Sequence, residues 1–128
     1  MRIRPLLPLL LLAGLPGEHH DFGLLLFALA AIEAGYRVLP FGPDMPLQSL
    51  AQIAHSKHCT AIVLSGAVEP PGSVLDDDLP SLVTASRLPV FVGGLSSVYG
   101  CDAITKAGAE PLGRDIDHGL QRLQEVLA

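Results

Sequence analysis

The chain has 128 residues, with 8 Lys and Arg against 13 Asp and Glu, for a formal net charge of −5. That length makes one domain, and 49% hydrophobic against 16% charged residues supplies a core and excludes disorder over most of the chain. An acidic chain with no basic run lacks the charge that neutralises phosphates, so no direct nucleic-acid partner is expected.

The N-terminus admits two readings. Met1-Arg2-Ile3-Arg4 followed by Leu6 to Leu12 has the charge and apolar order of a signal peptide. No A-x-A cleavage pattern follows, and the run is far shorter than the ~20 residues of a membrane span. A buried central strand of a parallel sheet is also a continuous apolar run, and this is the reading preferred here. Pro8 cannot donate to a ladder, so the strand is expected to begin at Pro8 or just after it.

Leu24 to Ala34 is apolar nearly all round and ends at Gly35, which predicts a helix packed on a sheet and on a second surface. Arg37 to Phe41 reads as a strand stopped by Gly42-Pro43-Asp44. A second helix is expected from Met45 or Pro46 to Lys57, with Pro46 in the first helical position. Ala61 to Ser65 reads as a buried strand, and Val74 to Ser86 as a weak helix that Pro80 starts or breaks. Pro89 to Val92 is a strand ending in Gly93-Gly94. Ser97 to Ala107 is a helix closed by Gly108, Glu110 to Leu112 a short strand, and Asp115 to Leu127 an amphipathic helix. Five strands alternating with helices predict an α/β, flavodoxin-like (Rossmann-like) three-layer domain over residues 1–128, with a parallel sheet of order 2-1-3-4-5.

Ligands of such sheets bind outside the carboxyl ends of the strands. Three loops meet there: Gly17-Glu18-His19-His20-Asp21-Phe22-Gly23, Ser65-Gly66-Ala67, and Gly93-Gly94 with Leu95-Ser96-Ser97. They combine small residues, which let a large ligand approach the backbone, with imidazoles that suit a metal. The other candidates have simpler explanations. His55 and His58 suit the dipole at a helix end. His118 reads as exposed, Asp76-Asp77-Asp78 as a solvated loop, and Cys59 as a small buried hydrophobe. Cys59 and Cys101 lack metal or redox spacing and read as free thiols of a cytoplasmic protein.

Glu18-x-His20-x-x-Gly23, Ser65 after the third strand and Gly93-Gly94 after the fourth resemble, in order and spacing, the D-x-H-x-x-G, S-x-L and G-G motifs of the cobalamin-binding domain family. Glu18 stands for the Asp, as in light-sensing members, and Ala67 stands for the Leu, which implies a looser pocket for the nucleotide tail. The resemblance implies that His20 is the lower axial ligand of cobalt, displacing the cofactor's own dimethylbenzimidazole. Glu18 would fix the tautomer of His20, and Ser65 would hydrogen-bond the buried base. Gly23 would let the helix start close under the corrin, with Asp21, Phe22, Gly66 and Ala67 beside it. Gly93 and Gly94 would leave room for the tail. The implied cofactor is adenosylcobalamin, methylcobalamin or hydroxocobalamin.

Within that family, Gly35-Tyr36-Arg37-Val38-Leu39-Pro40-Phe41-Gly42-Pro43-Asp44-Met45-Pro46 resembles a run of the MerR-type light-sensing transcriptional regulators. Those carry a DNA-binding helix-turn-helix and a four-helix bundle ahead of this domain, which this sequence does not contain, so the upper corrin face is expected to be open. The implied function is a photoreceptor module for signal sensing in transcription regulation, not an enzyme. The alternative is a corrinoid carrier subunit that passes a methyl group to a separate methyltransferase. A flavin-binding flavodoxin is disfavoured because His19-His20-Asp21 replaces a phosphate-cradling Thr/Ser/Gly run.

Overall fold

Alternation along the strands sends successive side chains to opposite faces of a sheet, and this arithmetic divides the core in two. The computed structural model describes residues 7–17, 22–42 and 44–128. Its strands are β1 (Leu9–Gly14), β2 (Arg37–Pro40), β3 (Ala61–Ser65), β4 (Val90–Gly93) and β5 (Glu110–Gly113). Between and after them run α1 (Phe22–Glu33), α2 (Leu47–Ser56), α3 (Leu79–Ser86), α4 (Leu95–Tyr99), α5 (Cys101–Lys106) and α6 (Ile116–Leu127). The strands are all parallel in the order β2-β1-β3-β4-β5, as expected.

Leu10 and Leu12 of β1 face one layer, where they meet Leu24, Phe27, Ala28 and Ala31 of α1 and Leu123 of α6. Leu11 and Ala13 face the other, with Leu47, Leu50 and Ala54 of α2, Leu79 and Leu82 of α3 and Ile104 of α5. Leu10, Leu11 and Leu12 have no exposed surface, and burying each stabilises the fold by about 1.5–3 kcal/mol relative to exposure. The N-terminal apolar run is therefore a central strand, starting one residue after Pro8.

The helix α1 stops where its sequence predicts. Gly35 adopts φ +101°, Tyr36 N–H donates to the Ala31 carbonyl and Gly35 N–H to that of Ile32, which is a Schellman end. Its outer side, with Phe22, Leu25, Leu29 and Ile32 more than half exposed, has no second surface over it among the described residues.

Besides shifts of one or two residues at other ends, such as the start of α1 at Phe22 in place of Leu24, three features differ from expectation. Pro46 is the N-cap of α2, one position before the first helical residue, with ψ 126°. The segment before Pro80 is a π-helical turn, Val74–Asp78, in place of a loop at the aspartates. Proline has no N–H for the Asp76 carbonyl, and the turn widens so that Leu79 N–H reaches the Val74 carbonyl. The single helix expected over Ser97 to Ala107 is two short ones, parted at Gly100 and starting directly after Gly94. A Cβ at Gly100 would lie 2.9 Å from Leu75 Cδ1, so the start of α5 packs closely on the π-helical turn. Among the described residues no helix is long and apolar enough to cross a membrane.

Candidate functional site

At the carboxyl edge of the sheet, on the α1 and α6 side, lies a cleft of about 260 Å³. Its floor is Val63, Leu64 and Ser65 at the end of β3, with Gly93 and Gly94 at the end of β4. One wall is the first turn of α1, with Phe22, Gly23, Leu26 and Phe27. The other is the turn from β5 into α6. The interior is apolar, and Leu112 and Val63 are almost fully buried.

Ser65 is 7% exposed and lines this cleft, yet its hydroxyl has no hydrogen-bond partner among the described residues. A buried hydroxyl without a partner costs free energy unless something supplies one. Gly23 faces it, since a Cβ on that residue would sit 3.9 Å from Ser65 Oγ. A Cβ on Gly93 would meet nothing closer than 3.9 Å, so the β4 end carries open space that any side chain would reduce.

The two glycines after β4 differ in kind. Gly94 has φ +80° and ψ −175°, a region that essentially glycine alone adopts. A Cβ on it would overlap the carbonyl oxygen of Gly66. Gly66 is itself packed by Leu15 and Ser96, and it neither lines the cleft nor leaves room for a side chain. Its N–H donates to the Gly93 carbonyl at 3.3 Å, and its carbonyl accepts from Ser96 N–H at 3.0 Å. The hydroxyl of Ser96 donates to the Val68 carbonyl. The β3 and β4 loops are thus laced together behind the cleft. Ala67 is exposed and outside the lining.

A second lacing fixes the far wall. Ser97 Oγ donates to the Gly94 carbonyl at 2.7 Å and accepts from Gly113 N–H at 3.0 Å, while Gly94 N–H donates to the Gly113 carbonyl at 2.9 Å. Asp115 caps α6 by accepting from His118 N–H at 2.9 Å. Gly17 N–H donates to Asp44 Oδ1 at 2.6 Å, which ties the stretch after β1 to the β2–α2 loop.

Of the residues singled out in the sequence, Phe22, Gly23, Ser65, Gly93 and Gly94 come together in one cleft. Glu18, His19, His20 and Asp21 lie outside the described residues, between Gly17 and Phe22. Sequence reasoning placed Ser97 in a loop of this edge and Asp44 in the turn after β2 without giving either a role, and it missed the β5–α6 turn with Gly113, Arg114, Asp115, Ile116 and Gly119. The signal was available, because β5 ends on the same edge as β3 and β4. Elsewhere, His55 is tied by more than a helix dipole, as its Nε2–H donates to the Ser86 carbonyl at 2.7 Å and links α2 to α3. His118 is exposed and Cys59 buried, as expected. Among the described residues no group of His, Cys, Asp and Glu is arranged to hold a metal ion.

A parallel sheet of this order is a doubly wound domain, the class of fold whose ligands sit at the carboxyl edge where this cleft lies. The chain is similar in fold to solved cobalamin-binding and corrinoid proteins, and in sequence to a transcriptional repressor and to methionine synthase. It superposes on a cobalamin-binding protein of Desulfitobacterium hafniense with a TM-score of 0.75 at 22% identity, covering 93% of this chain and 58% of the other. With the monomethylamine corrinoid protein of Methanosarcina barkeri the TM-score is 0.74 at 18% identity, over 93% of this chain and 57% of that one. In sequence it is 34% identical over 107 residues to the HTH-type transcriptional repressor CarA of Myxococcus xanthus, covering 80% of this chain. It is 25% identical over 126 residues to methionine synthase of Mycobacterium tuberculosis, covering 93% of this chain. The chain spans 36% of the length of the first relative and 11% of the second. No protein-family model matches it.

Proposed function

We propose that the chain is a cobalamin-binding module that seats the nucleotide tail of the cofactor in the cleft and the corrin over its mouth. The observation that carries this reading is the buried Ser65 hydroxyl, without a partner among the described residues, in an apolar cleft that Gly23 and Gly93 keep open. A benzimidazole base is apolar and aromatic with one ring nitrogen to satisfy, which suits that lining. His20 supplies the lower ligand to cobalt, with Glu18 holding its tautomer and raising its basicity. In adenosylcobalamin the group supplies a cobalt–carbon bond that visible light breaks. The module senses light in the cytoplasm and acts on DNA only through other domains or partner chains, since its own charge is −5. Higher identity to a transcriptional repressor than to methionine synthase favours this branch.

The second reading, a carrier that presents a methyl group to a separate methyltransferase, is favoured by the likeness to a corrinoid protein and to methionine synthase. In both readings the chain holds the cofactor, and a partner or a further domain carries the outcome onward.

The test is the visible spectrum on adding hydroxocobalamin and adenosylcobalamin. Binding is expected to convert each to a histidine-ligated form with its own base released, and His20→Ala is expected to abolish that change while His19→Ala leaves it. Glu18→Ala is expected to weaken binding about 10- to 100-fold without unfolding the chain. A His20→Ala protein that binds with the parent's spectrum overturns the ligand assignment. Green light separates the branches. A lasting spectral change of the adenosylcobalamin complex supports the sensor, and reversible methyl exchange with a partner enzyme supports the carrier.

A further inference from the structure

The cleft is graded in polarity. Its deep part is Phe27, Val63 and Leu112, and of its described lining Arg114 is the one cation and Asp115 the one carboxylate. Asp115 Oδ1 is engaged by the His118 N–H of its own helix. Arg114 is exposed, and no described residue forms an ion pair or hydrogen bond with it. The ion pairs found, Arg122 with Glu110 and Glu125, involve the opposite end of β5. The backbone that carries Arg114 is nevertheless held. Gly113 precedes it at φ +77°, with its N–H on Ser97 Oγ and its carbonyl on Gly94 N–H. A guanidinium with no partner among the described residues thus stands on a fixed stem at the mouth of an apolar cleft.

We infer that Arg114 receives the phosphodiester of the cofactor's nucleotide tail. The inference rests on the cobalamin reading above and adds a contact to it. The tail joins an aromatic base to a ribose and one phosphate, so a base in the apolar depth leaves the anion near the mouth. A guanidinium offers a planar fork of donors that matches two phosphate oxygens, and such charge-assisted bonds are the stronger kind. A chain of net charge −5 repels an anion unless a local cation offsets the field.

The experiment compares cobalamin with cobinamide, a corrinoid that lacks the base, the ribose and their phosphodiester link, on the parent chain and on Arg114→Gln and Arg114→Lys. Arg114→Gln is expected to weaken cobalamin about 10-fold, as for loss of a charged hydrogen bond, and to leave cobinamide unchanged. Arg114→Lys is expected to keep part of the affinity, and the difference between parent and Arg114→Gln is expected to shrink as salt is raised. Because Arg114 is exposed, the unfolding midpoint serves as the control and is expected to stay put. Equal weakening of both corrinoids, or of neither, overturns the role of Arg114 while leaving cobalamin binding intact. If the parent binds neither corrinoid, the cobalamin reading falls and this contact falls with it.

Discussion

The carbonyl oxygen of Gly66 occupies the space in which residue 94 would carry a Cβ. The two glycines therefore act as a pair. The loop after β3 reaches the loop after β4 only because neither side of the contact has a side chain. Backbone hydrogen bonds from Gly66 to Gly93 and from Ser96 to Gly66 take up the space instead.

Adjacent glycines after β4 should consequently respond in opposite ways. Gly94→Ala is expected to cost about 3 kcal/mol or more, from an unfavourable φ, ψ region and overlap with backbone that cannot move aside. Gly93→Ala is expected to change stability by less than about 1 kcal/mol while weakening cobalamin binding, because its methyl enters the cleft. Urea unfolding and a corrinoid titration of both variants check this. Equal destabilisation by the two would remove the distinction.

Ser65→Ala removes a hydroxyl that has no partner among the described residues. Stability is expected to hold or rise slightly, since deleting an unpaired buried polar group relieves its desolvation. Affinity for cobalamin is expected to fall by a factor of about 5, the value of an ordinary hydrogen bond of roughly 1 kcal/mol. A variant that is clearly less stable, with unchanged affinity, would mean that the hydroxyl serves the fold.

Ser97 joins the two loops that frame the β4–β5 side of the cleft. Ser97→Ala leaves the Gly113 N–H and one bond of the Gly94 carbonyl without their partner, at an expected cost of about 1–3 kcal/mol. Amide hydrogen exchange at Gly113 is expected to quicken more than at Leu123 in the α1–α6 core. Uniform exchange across the two positions would count against a local role.

Burial raises the Cys59 thiol above its ordinary range, and the Arg37 guanidinium pulls it part of the way back. A folded-state value above the unfolded one means that the unfolded chain gives up its proton first. The contribution of Cys59 to stability is therefore whole below about pH 8.5 and is lost as pH rises through that value towards the folded one. The denaturant midpoint of the parent is expected to fall over this window, and that of Cys59→Ala to fall less. At neutral pH a thiol reagent is expected to label exposed Cys101 quickly and Cys59 only on unfolding.

The strands and their order were legible because burial on both faces leaves a mark that needs no partner to be read. Four consecutive leucines in β1 and Ala61 to Leu64 in β3 are apolar at every position, as central parallel strands must be. Ser65, Gly93 and Gly94 then fall at strand ends, and the rule that places ligands at the carboxyl edge gathers them into one site. Gly100 was different. In one dimension it is a weak spot inside a helix, and its close packing against Leu75 at the junction of α4 and α5 appears only in the tertiary structure.

By itself the sequence determined the sheet, its order and the edge at which a ligand would sit, since these follow from local periodicity and from the few ways a parallel sheet can be wound. Tertiary structure decided which glycine serves the cleft and which serves the fold, because Gly93 and Gly94 differ in backbone conformation and in what stands opposite them. It also decided that the β5–α6 turn, with Arg114, completes the wall facing Gly23. Those residues are far apart along the chain, and they meet because β5 pairs with β4 and α6 packs beside α1.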